Sequence, residues 1–365
     1  MTTTASPERL AAVSLAPDDP RWADLAQSHP GALPYHHPSW FQALAAAYPY
    51  TPAALGCADS AGRLTGVLPL FQKKSLLAGT HLASLPNTPV AGPLASDEPS
   101  LRVLLSAAAA LTDDSPARWL QLKVAGTVAD GLVDGLTGQA WDPTYAVDLP
   151  PDPAQLRFGS SRNHGAILRA VRKAAKLGVT VREATSAADV RRWYPLYLAT
   201  MREHAVPPRP LRQFEAMWEF LAPQGRLALL LAERRAGGST ELLAGSVFLR
   251  HGQVIYYAFN GRDRSGLEFR PNDAIHWHAI SEGCASGFRR YDFGEVVEAN
   301  AGLARFKRKW GAEPAPMYRY HYPRSREVER GALRPGPARR AAESAWRRLP
   351  LPVTAGVGRW VCRRL

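Results

Sequence analysis

The chain has 365 residues and a mass of 39.8 kDa, and this length favours two domains because single cores stop growing near ~250–300 residues. Its composition, 46% hydrophobic and 21% charged, excludes a disordered or fibrous protein. The net charge of +13 is concentrated in two segments: residues 157–182 hold seven basic and no acidic groups, and residues 324–365 hold 11 basic and three acidic groups.

The first 152 residues predict a domain of mixed helices and strands. A helix begins at His37–Trp40, with Ser39 as its cap, and Leu101–Leu111 predicts another. A turn at Asp59–Gly62 joins two of the predicted strands in a hairpin. The predicted strands are Ala53–Cys57, Leu64–Phe71, Trp119–Val124 and Asp142–Leu149. The proline cluster at 150, 151 and 153 marks a domain boundary, which we place between residues 152 and 153.

Residues 153–323 predict a second domain of the same kind. The predicted helices are 160–178, Ser186–His204, Arg212–Leu221 and Asn272–Gly283. The predicted strands are Val179–Arg182, Leu227–Glu233, Leu242–Arg250, Val254–Phe259, Arg290–Phe293 and Tyr318–Tyr322. Helices followed by antiparallel hairpins in both halves favour an α+β fold with a mixed sheet in each domain.

Residues 324–365 form a basic tail with a different composition. Residues 324–340 are rich in Arg, Pro and Gly, which is typical of a linker, and residues 341–365 then alternate arginines with Trp346, Trp360 and aliphatic residues. Two interpretations stay open for 341–365: peripheral contact with the anionic inner face of a membrane, and packing or disorder. One continuous helix is disfavoured by Pro350, Pro352, Gly356 and Gly358.

The helix at 160–178 carries a continuous cationic face. Its basic residues recur at i, i+3, i+4 and i+7, while the opposite face is apolar. The basic residues are Arg169, Arg172, Lys173 and Lys176, and the apolar ones are Ile167, Val171 and Ala174. Like charges this close together suit an anionic partner such as a phosphate or a carboxylate, and a solvated helix face is the simpler interpretation.

A second group of polar residues lies between Val254 and Trp310. Asn272 and His276 share a helix face with Ile280, and Asp292 ends a strand immediately before a glycine. His276 and His278 are two residues apart, so they diverge on a helix and do not form a metal site. The chain contains none of the nucleotide-binding or nucleophile motifs that would support hydrolysis or covalent catalysis.

The sequence favours a cytoplasmic protein. The three cysteines are far apart, which fits a reducing compartment and excludes a thiolate zinc site. The first residues do not have the pattern of a secretory signal, and the uncharged stretches His36–Ala58 and Ser75–Ser96 contain several prolines.

Several blocks, in this order, resemble the FemAB-like branch of the GNAT-fold acyltransferases, over roughly residues 35–323. The blocks are Arg162-Asn163, Leu168-Arg169, Arg172-Lys173-Ala174, Gly178-Val179, Trp193-Tyr194-Pro195-Leu196-Tyr197, Leu243-Ala244-Gly245, Arg270-Pro271-Asn272-Asp273, Trp277, Tyr291-Asp292-Phe293-Gly294 and Arg305-Phe306-Lys307 with Trp310-Gly311. The tail sequence from Arg348 to Val353 resembles that of an exopolysaccharide and PEP-CTERM-associated subgroup.

This resemblance implies two tandem GNAT-like domains, 1–152 and 153–323, followed by the basic tail 324–365. It also implies transfer of an acetyl or aminoacyl group to an amine of a cell-envelope precursor, related to peptidoglycan or exopolysaccharide. The donor would be an acyl-CoA or an aminoacyl-tRNA, and no metal is expected. The Q/R-x-x-G-x-G/A loop of ordinary GNAT enzymes is absent, and Glu268–Asp273 stands in its place, which makes conventional use of acetyl-CoA less expected.

The residues and the resemblance together assign roles in acyl transfer. Asp292 receives or orients the amine, Lys307 stabilises the oxyanion or an acceptor phosphate, and Asn272 acts with them as a catalytic residue that positions the reacting groups. The predicted substrate-binding residues are Arg162, Arg169, Arg172, Lys173, Tyr257, Asn260 and His276.

The expected partner is an anionic small molecule or a lipid-linked glycan precursor, with tRNA as one of the possible donors and no role for DNA. Two other functions stay open: an RNA-binding module, and a non-catalytic envelope-assembly scaffold with a degenerate GNAT fold.

Overall fold

The computed structural model of the chain describes residues 9–76, 79–297, 300–323 and 337–364. The described residues form two compact units. The first comprises residues within 1–141 and 316–333 together with the last residues, 363–365, and the second comprises residues within 142–315 and 334–362. The chain therefore enters the second unit at Asp142, before the proline cluster at 150–153.

The first unit contains helices and two groups of strands. In chain order they are β1 (Ala11–Ser14), α1 (Pro20–Ser28), α2 (Pro38–Ala47), β2 (Thr51–Pro52), β3 (Leu55–Ala58), β4 (Leu64–Leu68), β5 (Leu70–Ser75), β6 (Gly79–Ser84), β7 (Leu94–Ala95), α3 (Glu98–Asp113) and β8 (Leu120–Ala125). Strands β1, β3, β4 and β7 form one antiparallel sheet. In the other group β5 pairs with β2 and β6, and β8 lies parallel to β6.

The predicted hairpin in this unit is confirmed, and two local predictions are wrong. The Gly62 N–H donates to the Asp59 carbonyl (3.0 Å) between β3 and β4. The predicted strand Leu64–Phe71 is two strands in different sheets, because Pro69 interrupts it and a proline has no N–H to continue a ladder. The N-cap of α2 is His37, whose Nδ1 accepts from the Ser39 N–H at 3.2 Å, and not Ser39 itself.

The second unit is built on one mixed sheet. Its elements in chain order are the end of β9 (Thr137–Asp148), then α4 (Ser161–Lys176), β10 (Val179–Glu183), α5 (Ala187–Glu203), α6 (Leu211–Leu221), β11 (Leu227–Ala236), β12 (Ser239–His251), β13 (Val254–Arg262), α7 (Pro271–Ala285), β14 (Arg290–Glu295) and α8 (Ala301–Lys309). The strand order is β10-β11-β12-β13-β14-β9, antiparallel except for β13 and β14. The last strand, β15 (Glu313–Tyr322), leads the chain back into the first unit. There its residues Met317–Tyr322 pair with β8.

Helix α5 crosses the sheet at two glycines. The Trp193 indole N–H donates to the Gly245 carbonyl at 2.8 Å, and a Cβ at Gly245 would lie 2.4 Å from Trp193 Cδ1. A Cβ at Gly261 would lie 2.5 Å from the Tyr197 backbone nitrogen. These contacts require residues without side chains, because a Cβ at either position would force the helix away from the sheet.

The described part of the tail forms α9 (Pro337–Arg347) and α10 (Leu351–Arg364). Most of the predicted linker, residues 324–336, lies outside the described residues. The prediction that residues 341–365 do not form one continuous helix is confirmed, because residues 348–350, which include Pro350, separate α9 from α10. Pro352, Gly356 and Gly358 do not interrupt α10, which contains all three. Pro352 is tolerated because it stands in the first turn, where its missing N–H has no partner to lose. No helix among the described residues is long and apolar enough to span a membrane.

Candidate active site

A group of polar residues lies where β13 and β14 stop pairing. The parallel pairing joins only Val254–Tyr256 to Arg290–Asp292, although both strands continue. Beyond that point, Ala258 forms a bulge against β12, because Val247 pairs with Phe259 and Phe248 with Tyr257. A bulge changes the direction of the side chains that follow it. The separation and the bulge therefore leave side chains of both strands free for contacts outside the ladder.

The first part of the site is a chain of hydrogen bonds between strand and helix. Asn260 Nδ2 donates to Ser246 Oγ (3.1 Å) and to the Asn272 side-chain oxygen (3.3 Å) at the start of α7. Burial raises the pKa of Tyr257, and its hydrogen bonds with Ser246 and Asn260 oppose that shift only in part. Because Asn272 uses its oxygen in this network, its NH₂ group is the part that can donate to a substrate.

The second part of the site is the carboxylate of Asp292 in β14, which is 9% exposed. Its Oδ1 accepts from Thr144 Oγ1 and from the Gly294 N–H, both at 2.6 Å. Burial raises the pKa of Asp292, while these hydrogen bonds and the charge of Lys307 oppose the shift. A carboxylate with a raised pKa binds a proton more readily, so Asp292 is suited to accept one.

The third part is the ammonium group of Lys307 in α8, which is 2% exposed. Its Nζ donates to the carbonyls of Gly294 (2.7 Å) and Glu295 (3.1 Å). Burial lowers the pKa of Lys307 to about 8, although the charges of Asp292 and Glu295 oppose the shift. A lysine has three N–H donors, and one remains for a reacting group.

His276 in α7 lies inside an aromatic cluster next to these groups. Its Nδ1 is 2.7 Å from the Tyr291 hydroxyl, and rings of Tyr257, Phe293, Phe306 and Trp310 surround it. Burial lowers its pKa to about 3, with the charges of Lys307 and Lys309 adding to the effect. The imidazole is therefore neutral at neutral pH, and its ring lies against that of Tyr257 with the centroids 4.7 Å apart.

The predicted cationic residues lie on α4. Arg162, Arg169, Arg172 and Lys173 are exposed, and none forms an ion pair with a residue that the structure describes. Ile167 and Ala174 are buried on the other side of the helix, as predicted. No hydrogen bond joins these basic side chains to the cluster of Asp292 and Lys307 within the described residues, so they form a separate surface.

Two polar partners of the site were missed in the sequence. Thr144, the partner of Asp292, lies 148 residues before it in the sequence. Ser246, the partner of Asn260, lies on β12. The strand that contains Thr144 was predicted, but its pairing with β14 was not, because local patterning carries no information on which distant strands pair.

The comparisons with known proteins agree with this architecture. Residues 161–308 match the model of the acetyltransferase (GNAT) domain. The crystal structure of FemX is similar at 15% identity with a TM-score of 0.69, covering 88% of this chain and 100% of that one. The C-terminal domain of a putative lysylphosphatidylglycerol synthetase from Agrobacterium fabrum is similar at 10% identity (TM-score 0.57), covering 85% of this chain and 92% of that one.

A tandem GNAT protein from the clavulanic acid biosynthesis pathway is also similar, at 15% identity with a TM-score of 0.52, covering 86% of this chain and 98% of that one. No curated protein matches the sequence significantly. The expected GNAT-like α+β fold with mixed sheets is thereby confirmed, and the resemblance to the FemAB-like branch is supported at the level of the fold.

The start of α7 does not fit the pyrophosphate of coenzyme A in the way that a glycine-rich loop does. Arg270 precedes the helix with φ 59°, Pro271 has no N–H, and the Ala274 N–H already donates to the Arg270 carbonyl at 3.2 Å. The first turn also carries Asp273, whose carboxylate is 3.3 Å from Lys309 Nζ. The proline removes one of the amides that the start of a helix normally offers to an anion, and the carboxylate of Asp273 would repel a pyrophosphate.

Proposed function

We propose that this chain, with its GNAT acetyltransferase domain at 161–308, is an N-acyltransferase that uses Asp292 and Lys307 to transfer an acyl or aminoacyl group to an amine. The observation that carries the proposal is the opposite direction of two pKa shifts in one buried cluster. The pKa of Asp292 is raised and that of Lys307 is lowered to about 8. A carboxylate and an amine whose pKa values approach each other are suited to serve as proton acceptor and donor near neutral pH.

In this proposal the acceptor amine forms a bond to the carbonyl carbon of the donor, and the donor's ester or thioester bond breaks. The carrier leaves as a free hydroxyl or thiol, after the proton lost by the amine has passed to its oxygen or sulfur. Asp292 receives the proton that the amine loses, and the third N–H of Lys307 donates to the developing oxyanion. The NH₂ group of Asn272 and the hydroxyl of Tyr257 orient the reactants, with Asn260 and His276 holding these two in place.

Two observations favour an aminoacyl-tRNA over acetyl-CoA as the donor. The start of α7 fits a pyrophosphate poorly, whereas the exposed arginines of α4 suit the regularly spaced phosphates of an RNA. One structural relative, the putative lysylphosphatidylglycerol synthetase, is by its name an enzyme that joins a lysyl group to a lipid, which agrees with these observations.

We further propose that the acceptor is an anionic precursor of the cell envelope, related to peptidoglycan or exopolysaccharide and held in the cytoplasm or at the inner face of the membrane. The basic face of α4 provides a surface for its charge if RNA does not occupy it. Such an acceptor can be linked to a lipid or to a nucleotide, so the test below uses cell extracts that contain precursors of both kinds.

The test supplies the full chain with two donors and one acceptor mixture. Total tRNA charged with labelled amino acids, or labelled acetyl-CoA, is incubated with these envelope extracts, and products are identified by mass spectrometry. We expect label in an amide of the acceptor from charged tRNA, and loss of that product with Asp292→Asn.

Three results would contradict parts of the proposal. Transfer from acetyl-CoA alone would overturn the choice of donor. Steeply salt-dependent RNA binding with no transfer from either donor would favour the RNA-binding alternative. Binding of an envelope partner without turnover would favour a scaffold.

A further inference from the structure

Helix α10 exposes a row of large apolar side chains. Val353 is 45% exposed, Val357 36% and Trp360 48%. They stand at i, i+4 and i+7, so they share one face of the helix, which we call the α10 stripe. Exposed apolar side chains occur singly on most proteins, but three in a row on one helix face indicate an interaction surface.

The opposite face of α10 is fixed to the second unit. Thr354 and Cys362 are buried, and Arg209 Nη1 lies 3.6 Å from Cys362 Sγ. Gly358 comes so close to Pro208 that a Cβ on it would lie 2.4 Å from the Pro208 carbonyl oxygen. This packing sets which face of the helix is presented outward, so the exposure of the stripe is a property of the folded chain.

The surroundings of the stripe are basic. Arg348 and Arg359 are exposed. The sequence contains no acidic residue after Glu343. Arg347, which pairs with Glu343 at 3.5 Å, belongs to the same end of α9. Helix α10 itself contains no acidic residue. An apolar row on such a helix, with exposed arginines beside it, is complementary to a surface that is apolar inside and negatively charged outside.

We propose that the α10 stripe docks on an anionic lipid bilayer. The valines and the tryptophan would enter the region between headgroups and acyl chains, and the arginines would contact phosphates. An RNA would use the charge but not the aliphatic side chains, and an apolar protein groove would not require the arginines. The proposal does not depend on acyl transfer, because lipid binding and product formation are measured separately.

The experiment compares the full chain with two matched double variants in vesicle sedimentation. Val357→Ser with Trp360→Ser removes one valine and one tryptophan from the stripe. The control, Val128→Ser with Trp141→Ser, removes the same two residue types at 49% and 44% exposure in the first unit. Vesicles contain either phosphatidylcholine alone or phosphatidylcholine with phosphatidylglycerol.

We expect the wild type and the control to bind the anionic vesicles, and the stripe variant to bind them about tenfold more weakly. All three should bind the neutral vesicles weakly. Equal binding by the two variants, equal binding to both vesicle types, or no binding by the wild type would overturn the proposal.

A second variant keeps the experiment decisive if the first does not fold, as judged by its unfolding midpoint. Arg348→Gln with Arg359→Gln leaves the apolar row intact. We expect it to bind anionic vesicles more weakly and with a smaller dependence on salt, because fewer charges face the headgroups. Unchanged affinity and salt dependence would contradict a docked anionic bilayer.

Discussion

At the scale of single residues, Lys307 is a buried cation held by main-chain carbonyls. The two carbonyl groups belong to Gly294 and Glu295, which lie in β14 beyond the part that pairs with β13. A change in the direction of β14 would therefore move the ammonium group. The carbonyls fix its position, while burial makes it a better proton donor than an exposed lysine.

Lys307→Ala should lower kcat/KM for transfer by about 100-fold, with a smaller change in KM, because the lost hydrogen bond would act on the oxyanion. The matched control is Lys309→Ala on the same helix, which should retain transfer within about threefold. Initial rates at varied acceptor concentration provide both constants. A loss confined to KM would place Lys307 in ground-state binding instead.

The pH dependence of transfer follows from the same two groups. In the proposed mechanism the reaction needs Lys307 protonated, so the rate should fall as pH rises through about 8. It also needs Asp292 ionised, so the rate should fall on the acid side at a pH above the ordinary range of a carboxyl, because burial raises its pKa. A rate profile measured with a donor stable over this range should be bell-shaped. A flat alkaline side would be inconsistent with a protonated Lys307.

His276 connects the site to stability. Its pKa of about 3 in the folded state lies below the ordinary histidine value of 6.5, so the unfolded chain binds one more proton between these values. The unfolding free energy should therefore decrease as pH falls from 6.5 towards 3, by up to ~1.4 kcal/mol per pH unit from this group. Denaturant unfolding at several pH values should show a shallower decrease for His276→Gln. Tyr291→Phe, which keeps the imidazole, should retain the wild-type dependence.

At the scale of elements, the contact of α5 with β12 and β13 depends on backbone approach. Gly245→Ala would place a Cβ against Trp193, and overpacking of this kind costs about 1–3 kcal/mol of unfolding free energy. Gly165→Ala in α4 is the matched control, since its Cβ would meet only the flexible end of Arg169 at 3.3 Å. That change should stabilise by about 0.5–1 kcal/mol through helix propensity. Urea unfolding of both variants checks the pair, and equal effects would refute the packing argument.

The elements also show what sequence patterning could predict. The amphipathic α4 and the positions along the chain of the strands β10 to β14 agree closely with the prediction, because these segments have a clear hydrophobic pattern and lie next to turn-forming glycines. Helix α8, which carries Lys307, was not predicted as a helix. Its residues Ala301–Lys309 include a glycine and only two large apolar side chains, so it has little apolar periodicity. Thr144 and Ser246 were missed as partners of the site because the pairing of distant strands brings them there, and the local pattern of the sequence does not show that pairing.

At the scale of the whole molecule, the excess positive charge is divided between α4 and the tail, and the two surfaces have different chemistry. The face of α4 is basic without exposed large apolar residues, whereas α10 combines arginines with an apolar row. Binding to RNA should therefore depend on α4, and binding to lipid on α10.

The charge on α4 leads to a prediction for tRNA. Arg169→Gln with Arg172→Gln should weaken tRNA binding by about tenfold at moderate salt and reduce the salt slope by ~1–2, because each lost phosphate contact contributes just under one unit. Arg235→Gln with Arg264→Gln removes the same exposed charge elsewhere in the second unit and is the control. Filter binding across a salt series measures both quantities. If the two double variants showed the same salt slope of tRNA binding, the net charge of the protein alone would account for its attraction to tRNA.

The hydrogen bond from Thr144 to Asp292 affects which part of the chain a gene fusion could transfer as a working domain. The region that matches the GNAT acetyltransferase model begins at residue 161, after the strand that supplies Thr144 and pairs with β14. A gene fusion that moved only residues 161–308 would leave β14 as an open sheet edge and remove one of the two donors that hold the Asp292 carboxylate. The smallest piece that evolution could transplant with its chemistry intact therefore starts near Asp142, earlier than the homologous core.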